Sequence, residues 1–537
     1  IKSLSERTNL LAEIIIKCGE IIDGTGKPGY KADIALEKDK IASIGKIETK
    51  NADSVLDASG LVVAPGFVDI HSHSDYYLLI DPRAESKIMQ GVTTEVGGNC
   101  GYAAAPIFGE LLKERRRNYL KQFDIHLNWT NLSGYYEKLE EKGTAVNFAP
   151  LLGQNTIRAS VMGYEDRTPE PNEIKKMELI VLDGLKQGAF GMSVGLIYPP
   201  SCYAKTEELI RLFKVVEECD GLFTCHMRSE GEKLLKAIEE TIQIGRETGV
   251  RTQISHLKTA GKKNWDKIQP ALALIETALE NGTDTACDRY PYTASNTGLS
   301  ALLPDWVFEG GIQKQMERLQ DKSTRELLKK EILKCHPEPE HWQTVLISQV
   351  VTDKNKDLEG KKVSVGAELR KKEIFDFIFD LLLDEQSQVE AIYFCMCEDN
   401  FQEIIKKDYV MIGSDSGAKS INGPLGDGTP HPRGFGSYPR VLGKYVRDEN
   451  VLELPVAIKK MTSDPCSRLK IADRGIIKEG NYADLVLFDP KKIKDTATYE
   501  NPKQYPEGIE YVFINGKMAV KKGKPTGILG GRGLKKN

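Results

Sequence analysis

The sequence lacks the long apolar runs and the one-sided charge that mark membrane-spanning and nucleic-acid-binding proteins. No stretch of its 537 residues approaches the roughly 20 consecutive apolar residues of a membrane span. The net charge is −4 with acidic and basic residues interspersed, so nothing favours binding to nucleic acid or to an anionic membrane. We therefore expect neither as a partner, and the oligomeric state is left open.

The sequence also shows neither a disulfide framework nor the layout of a secretory leader. The ten cysteines are scattered without the spacing of a disulfide framework, which in a chain of this length is typical of reduced thiols. The first fifteen residues lack the charged and then apolar layout of a signal peptide. We expect a cytoplasmic protein. Because the chain begins with isoleucine rather than methionine, whether a signal preceded it is left open.

Both ends of the chain are rich in short apolar segments separated by glycine, aspartate and proline. Residues 14–22 and 483–488 are examples, and segments of this kind predict β-strands. Asn515-Gly516 stands between two apolar runs, which predicts a β-hairpin. We therefore predict one small β-sandwich domain assembled from residues 1–65 and 470–537.

The middle of the chain alternates strand and helix patterns, which predicts a parallel sheet with helical crossovers. The candidate strands are 67–73, 93–96, 146–152, 191–196, 222–226, 252–256, 284–292, 392–397 and 410–415. Nine candidates compete for the eight places of a (β/α)8 TIM-like barrel, and the sequence does not decide between 284–292 and 392–397. We predict a barrel over residues 66–469 with an insertion at about 300–390.

Side chains that bind metals stand at the ends of several candidate strands. His71 and His73 are two residues apart, so along a strand they project from one face. The other members of the set are Cys100, His226, His256 and Asp415. In a parallel barrel the carboxyl ends of the strands are where the chemistry takes place. Imidazole, thiolate and carboxylate are the ligands that zinc prefers, so the set predicts a zinc site.

Each of these residues has an ordinary interpretation when it is taken singly. A lone histidine at a strand end is more often a hydrogen-bonded structural residue, and a buried cysteine usually acts as a small apolar side chain. Asp415 alone would cap the following helix. The chain has only eight histidines, and four of them belong to the set, so the combination favours a metal site.

Two stretches resemble a known family. Pro65-Gly-Phe-Val-Asp-Ile-His-Ser-His73 resembles the opening signature of the amidohydrolase superfamily, whose barrels carry metal ligands on strands one, five, six and eight. Many members have a carboxylated lysine on strand four, whereas residues 190–196 contain no lysine. Glu95-Val-Gly-Gly-Asn-Cys100-Gly instead resembles the N-acyl-D-amino-acid deacylase (D-aminoacylase) branch, in which a cysteine thiolate takes that place.

The resemblance implies a ligand set and an activity. Cys100, His226 and His256 would bind one zinc tightly, and His71 and His73 with Cys100 would form a weaker second site, for which Asp415 is a further candidate. Zinc lowers the pKa of a bound water to about 7. Asp415 would take the proton of that water and pass it to the leaving amine. The implied reaction is hydrolysis of N-acyl-D-amino acids to a carboxylate and a free D-amino acid.

The resemblance also implies residues that bind the substrate. Arg433 in His431-Pro-Arg433 matches an arginine that binds the substrate carboxylate, a task that suits the planar guanidinium. Lys258, Tyr198 and Tyr290 match further substrate-contacting positions. A loop salt bridge for Arg433 and simple packing for the tyrosines are the structural alternatives. The preferred side chain is left open.

Two other functions compete with this hypothesis. A cyclic-amide enzyme of the hydantoinase or dihydroorotase kind is the nearer one, but the missing lysine on strand four, Cys100 and the Arg433 motif all argue against it. A barrel without activity, retained as a scaffold, is less favoured because such relatives usually lose metal ligands and this sequence has kept all of them.

Overall fold

The computed structural model describes residues 12–536. The first eleven residues of the predicted terminal domain, and residue 537, lie outside the described residues. Within the described part, no helix is both long enough and apolar enough to cross a membrane.

Eight parallel strands form a ring, here called barrel strands 1 to 8. In order they are Phe67–Asp69, Val92–Gly97, Asn147–Pro150 with its continuation Leu152–Gly153, Gly191–Gly195, Leu222–His226, Arg251–Ile254, Thr285–Arg289 and Val410–Ile412. Just beyond strands 8 and 1, Ser416 and Ser72 form a parallel bridge, and the backbone N–H of Asp415 donates to the carbonyl of His71 at 2.8 Å. These contacts close the ring, and the predicted TIM-like barrel is confirmed.

Helices cover the outside of the barrel. The helices between consecutive strands are Tyr77–Ile80, Glu85–Ile88, Gly109–Phe123, Leu132–Lys142, Gln154–Met162, Pro171–Lys186, Thr206–Glu218, Leu234–Thr248, Ile268–Glu280 and Glu398–Ile405. After strand 8 come Arg433–Arg440, the π-helical Val441–Asp448, Leu454–Met461 and Ser463–Leu469. Their apolar faces pack on the barrel in one continuous core.

The seventh barrel strand is Thr285–Arg289, which lies between strands 6 and 8. Glu390–Tyr393 instead pairs antiparallel with Ser295–Gly298 and Val345–Gln349 in a separate three-stranded sheet. This sheet packs with the helices Ile312–Gln320, Lys322–Cys335, Val363–Arg370 and Ile374–Asp384 around a core of their own. Residues 295–393 therefore bury their apolar side chains largely among themselves.

Strands from the two ends of the chain share one nine-stranded sheet. Its strands are Ala12–Ile21, Tyr30–Glu37, Lys40–Gly45, Ala52–Asp57, Val62–Pro65, Leu485–Phe488, Ile509–Ile514, Lys517–Lys521 and Lys524–Pro525. The two ends meet where Val62–Pro65 pairs antiparallel with Leu485–Phe488. The predicted hairpin at Asn515-Gly516 is confirmed, and both turn residues have positive φ angles of 49° and 76°, as a type I′ turn requires.

A buried lysine holds the first and last barrel strands together. The Nζ atom of Lys87 lies 2.6 Å from Asp69 Oδ2 and 2.9 Å from Glu95 Oε1, and all three side chains are fully buried. It also donates to the hydroxyl of Ser414 at 2.9 Å. This ion cluster fixes strands 1, 2 and 8 beneath the loops that carry the candidate metal ligands.

Candidate metal centre

The six residues predicted as metal ligands lie together at the carboxyl ends of the barrel strands. His71 Nε2 lies 3.3 Å from Cys100 Sγ and 3.3 Å from Asp415 Oδ1. His73 Nε2 lies 3.0 Å from the same Asp415 oxygen. The Cys100 sulfur is 3.6 Å from His256 Nε2, and His226 Nδ1 is 2.9 Å from that nitrogen.

The spacing of the atoms around Cys100 fits a shared cation, and His71, Cys100, His256 and Asp415 each offer a ligand atom within 4.8 Å of the others. With bonds of about 2.0–2.3 Å, two ligand atoms on a tetrahedral zinc stand about 3.3–3.6 Å apart. The separations around Cys100 fall at 3.3 and 3.6 Å. His226 Nε2 is buried and forms no hydrogen bond with any residue that the structure describes. The donor set of thiolate, imidazole and carboxylate fits a metal ion.

Several candidate ligands lie in loops just past the strands rather than within them. Strand 1 ends at Asp69, so His71 and His73 follow it, and their rings meet at 67° with centroids 5.4 Å apart. Cys100, His256 and Asp415 have φ angles of 52°, 37° and 51°. Such left-handed conformations are uncommon for these residues and cluster at functional sites. The turns aim the side chains inward.

The Cys100 loop occupies the space above strand 4. A Cβ atom on Gly195, the last residue of that strand, would lie 2.2 Å from the carbonyl oxygen of Cys100. A side chain is therefore excluded from the end of strand 4, and the thiol of Cys100 reaches the cluster from the loop after strand 2. This packing gives a physical reason for the missing lysine.

Electrostatics around the cluster favour a thiolate and a carboxylate. Burial alone would raise the pKa of Cys100, but the charge of His71 and the contact with His226 lower it well below its usual value. Burial would likewise raise the pKa of Asp415, whereas Arg433, His256 and His71 lower it strongly. Both groups are thus set up in the anionic form that binds a metal.

Two carboxylates at the cluster were not predicted from the sequence. Asp288 Oδ1 lies 2.9 Å from His71 Nδ1 and accepts a hydrogen bond from the backbone N–H of His256 at 2.9 Å. Glu230 Oε1 lies 2.9 Å from His256 Nδ1 and pairs with Lys258. Asp288 lies within barrel strand 7, next to the buried Cys287. No local sequence feature marks it as a partner of the candidate metal ligands.

The residues predicted to bind substrate surround the same cluster. Arg433 Nη1 donates to Asp415 Oδ2 at 2.7 Å, and its guanidinium stacks 4.6 Å from the centre of the Tyr290 ring. Lys258 Nζ lies 2.8 Å from His256 Nδ1. The Tyr198 hydroxyl is 3.0 Å from Thr297 Oγ1, and its ring centroid is 4.9 Å from that of His226.

Candidate metal ligands gathered at the carboxyl ends of a parallel barrel define the site of a barrel metalloenzyme. A model of the amidohydrolase family matches residues 54–520. The D-aminoacylase of Alcaligenes xylosoxydans xylosoxydans is 36% identical over 529 residues, which cover 97% of this chain and 97% of that protein. The chain therefore belongs to the N-acyl-D-amino-acid deacylase (D-aminoacylase) family of the amidohydrolase superfamily, as the two sequence motifs predicted.

Solved structures agree with this assignment. A crystal structure of D-aminoacylase is 35% identical, covers 98% of this chain and 100% of its own, and gives a TM-score of 0.82. The N-acyl-D-glutamate deacylase of Bordetella bronchiseptica, complexed with zinc and a phosphonate mimic of the tetrahedral intermediate, is 30% identical with a TM-score of 0.81 and covers 98% and 100%. A D-hydantoinase from Thermus sp. is 15% identical with a TM-score of 0.54, which is a likeness of fold alone.

Proposed function

We propose that the protein hydrolyses the amide bond of N-acyl-D-amino acids to give a carboxylate and a free D-amino acid. The observation that carries the proposal is the position of the Asp415 carboxylate. Its Oδ1 contacts His71 and His73 in the metal cluster, and its Oδ2 contacts Arg433. A proton acceptor therefore stands between the candidate metal ligands and a candidate carboxylate receptor.

Zinc is the metal that we propose, bound tightly by Cys100, His226 and His256, with a weaker second site at His71 and His73. When bound, it supplies Lewis acidity and lowers the pKa of a water molecule to about 7. The mixed set of thiolate and imidazole donors favours zinc over hard oxygen-binding cations. Reduced thiols are consistent with the cytoplasmic location that we also propose, and all ten cysteines are free.

Asp415 is assigned the proton transfers of the reaction. Water adds its oxygen to the carbonyl carbon, and the C–N bond breaks. One proton of the water passes to the Asp415 carboxylate and from there to the leaving nitrogen, which departs as an amine. General acid–base catalysis of this kind contributes about 10²- to 10⁴-fold to the rate.

Arg433 and Tyr290 are assigned to the α-carboxylate of the substrate. The Arg433 Nε atom and the Tyr290 hydroxyl are both buried, and neither has a hydrogen-bond partner among residues 12–536. Two neighbouring buried donors without an acceptor are costly, and a substrate carboxylate would supply the missing acceptor. Lys258 and Tyr198 complete the polar wall of the site and are assigned to orienting the substrate.

The test is a screen of N-acetyl-D- and N-acetyl-L-amino acids, scored for release of free amine with and without a chelator. We expect hydrolysis of D-substrates only, lost with chelator and restored by zinc. Equal hydrolysis of the L-series, or a preference for hydantoins or dihydroorotate, would overturn the proposal.

A second measurement addresses Arg433. The variant Arg433→Met should lower kcat/KM for an N-acetyl-D-amino acid by about 10- to 100-fold, the range for a hydrogen bond to a charged group. The same variant should affect the corresponding amide, which has no carboxylate, much less. An equal loss on both compounds would assign Arg433 to holding Asp415 alone.

A further inference from the structure

A cavity of about 240 Å³ lies beside the metal cluster and has His73 as one of its lining residues. The side chain of His73 is 31% exposed, whereas that of His71 is fully buried. His73 thus borders both the cluster and the cavity. The proposed mechanism assigns nothing to this cavity.

The cavity wall is built by one face of the helix Gly109–Phe123 and by the loop after strand 1. Leu111, Arg115 and Tyr119 line it at intervals of four residues, a spacing that puts them on one side of a helix. Tyr76 lies opposite, with its ring centroid 4.4 Å from that of Tyr119. Five tyrosines and one arginine are among the lining residues.

Arg115 has no acidic partner in the cavity. It forms no hydrogen bond or ion pair with the described residues, and it shares the cavity wall with the phenols of Tyr76, Tyr119 and Tyr164. Burial raises the pKa of Tyr76 to about 12, so its phenol keeps its proton and can donate. A guanidinium beside phenolic donors lacks only an acceptor.

The one acidic side chain among the lining residues is not an acceptor for the Arg115 guanidinium. Asp75 lines the cavity, but the backbone N–H groups of Gly98, at 3.0 Å, and of Ala104 donate to its carboxylate. Glu114, which precedes Arg115 on the helix, does not line the cavity. The guanidinium is therefore available to an anion that enters from the metal cluster.

We infer that this cavity binds a second carboxylate of the substrate, and that Arg115 is the residue that selects it. The inference rests on the proposed function. Arg433 and His73 contact opposite oxygens of Asp415, so a substrate held at Arg433 by its α-carboxylate directs its acyl chain toward the cavity. The favoured source of the carboxylate is thus a dicarboxylic acyl group such as succinyl. The other source is an acidic side chain of the D-amino acid.

The experiment compares three substrates: N-acetyl-D-alanine, N-succinyl-D-alanine and N-acetyl-D-glutamate. The variants are Arg115→Met, Arg115→Lys and the control Arg117→Met, which removes the same charge from an exposed position of the same helix. We expect Arg115→Met to lower kcat/KM for the succinyl substrate by about 10- to 100-fold, chiefly through KM, and to leave N-acetyl-D-alanine within about twofold. Arg115→Lys should retain part of the preference because it keeps the charge without the planar fork.

The outcomes separate this inference from the proposed function. A selective loss on N-acetyl-D-glutamate instead would support the inference with the side chain as the source. Equal losses on all three substrates, or none, would overturn it while the deacylase function stands. If the wild type hydrolyses none of them, the proposed function fails. The inference is then tested by the binding of N-succinyl-D-alanine, measured by calorimetry. Weaker binding to Arg115→Met than to Arg117→Met supports the inference, and equal binding overturns it.

Discussion

The Nδ1 atom of His71 lies 2.9 Å from the Oδ1 atom of Asp288, with both side chains buried. The same oxygen accepts a hydrogen bond from the backbone of His256 at 2.9 Å. One carboxylate therefore orients the ring of one candidate ligand and the backbone of another. Such a partner fixes the tautomer of a metal-binding histidine and raises its basicity.

The variant Asp288→Asn should weaken metal binding by about tenfold, at the lower end of the range for such partners. The dissociation constant can be measured by competition with a chromophoric chelator. Asp284→Asn is the matched control, because Asp284 is exposed at the other end of the same strand region, where it pairs with Arg468. Unchanged affinity in Asp288→Asn would show that the carboxylate does not support the metal.

The elements that could be predicted from the sequence are those with a local signature. Strand patterns followed closely by histidine, cysteine or aspartate predicted where the polar cluster lies, because the ends of parallel strands converge. Asn515-Gly516 predicted its hairpin because two adjacent residues determine that turn. The division at residues 65 and 470 and the insertion bounds remain predictions.

The remaining features depend on contacts between distant parts of the chain. Asp288 is 217 positions from His71, and Arg115 reaches the site only through the placement of its helix. The sequence leaves the choice between 284–292 and 392–397 open because both are short segments that fit a strand. Only the separate core of residues 295–393 removes the second from the barrel.

Cys100→Ala should remove the tightly bound metal and the activity together, since its thiolate lies 3.3 and 3.6 Å from two candidate imidazole ligands. Metal content after chelator treatment, measured by emission spectroscopy, tests this. Cys225→Ala is the control: Cys225 is also buried but accepts a hydrogen bond from Thr241 on an outer helix, away from the cluster. A normal metal content in Cys100→Ala would refute the thiolate's role.

Asp415→Asn should keep the tight metal but lower kcat by about 10²- to 10⁴-fold, the contribution of a general acid–base group. Asparagine is suitable because it tolerates the positive φ of 51° at this position, so the loop should keep its course. Asp427→Asn, in the exposed part of the same connection, is the control. Near-normal turnover would exclude Asp415 as the proton carrier, and loss of the tight metal would make it a principal ligand.

Lys87→Met should destabilise the barrel strongly, because Asp69 and Glu95 would remain fully buried without their cation. Removing one partner of a buried ion pair costs about 3–5 kcal/mol, visible as a lower urea midpoint followed by tryptophan fluorescence. Lys113→Met, which breaks an exposed pair with Glu110, should change stability by about 1 kcal/mol or less. Adding Asp69→Asn and Glu95→Gln to Lys87→Met should restore part of the lost stability, because no unpaired charge then remains. A triple variant that is no more stable than Lys87→Met alone would assign the loss to packing rather than to charge.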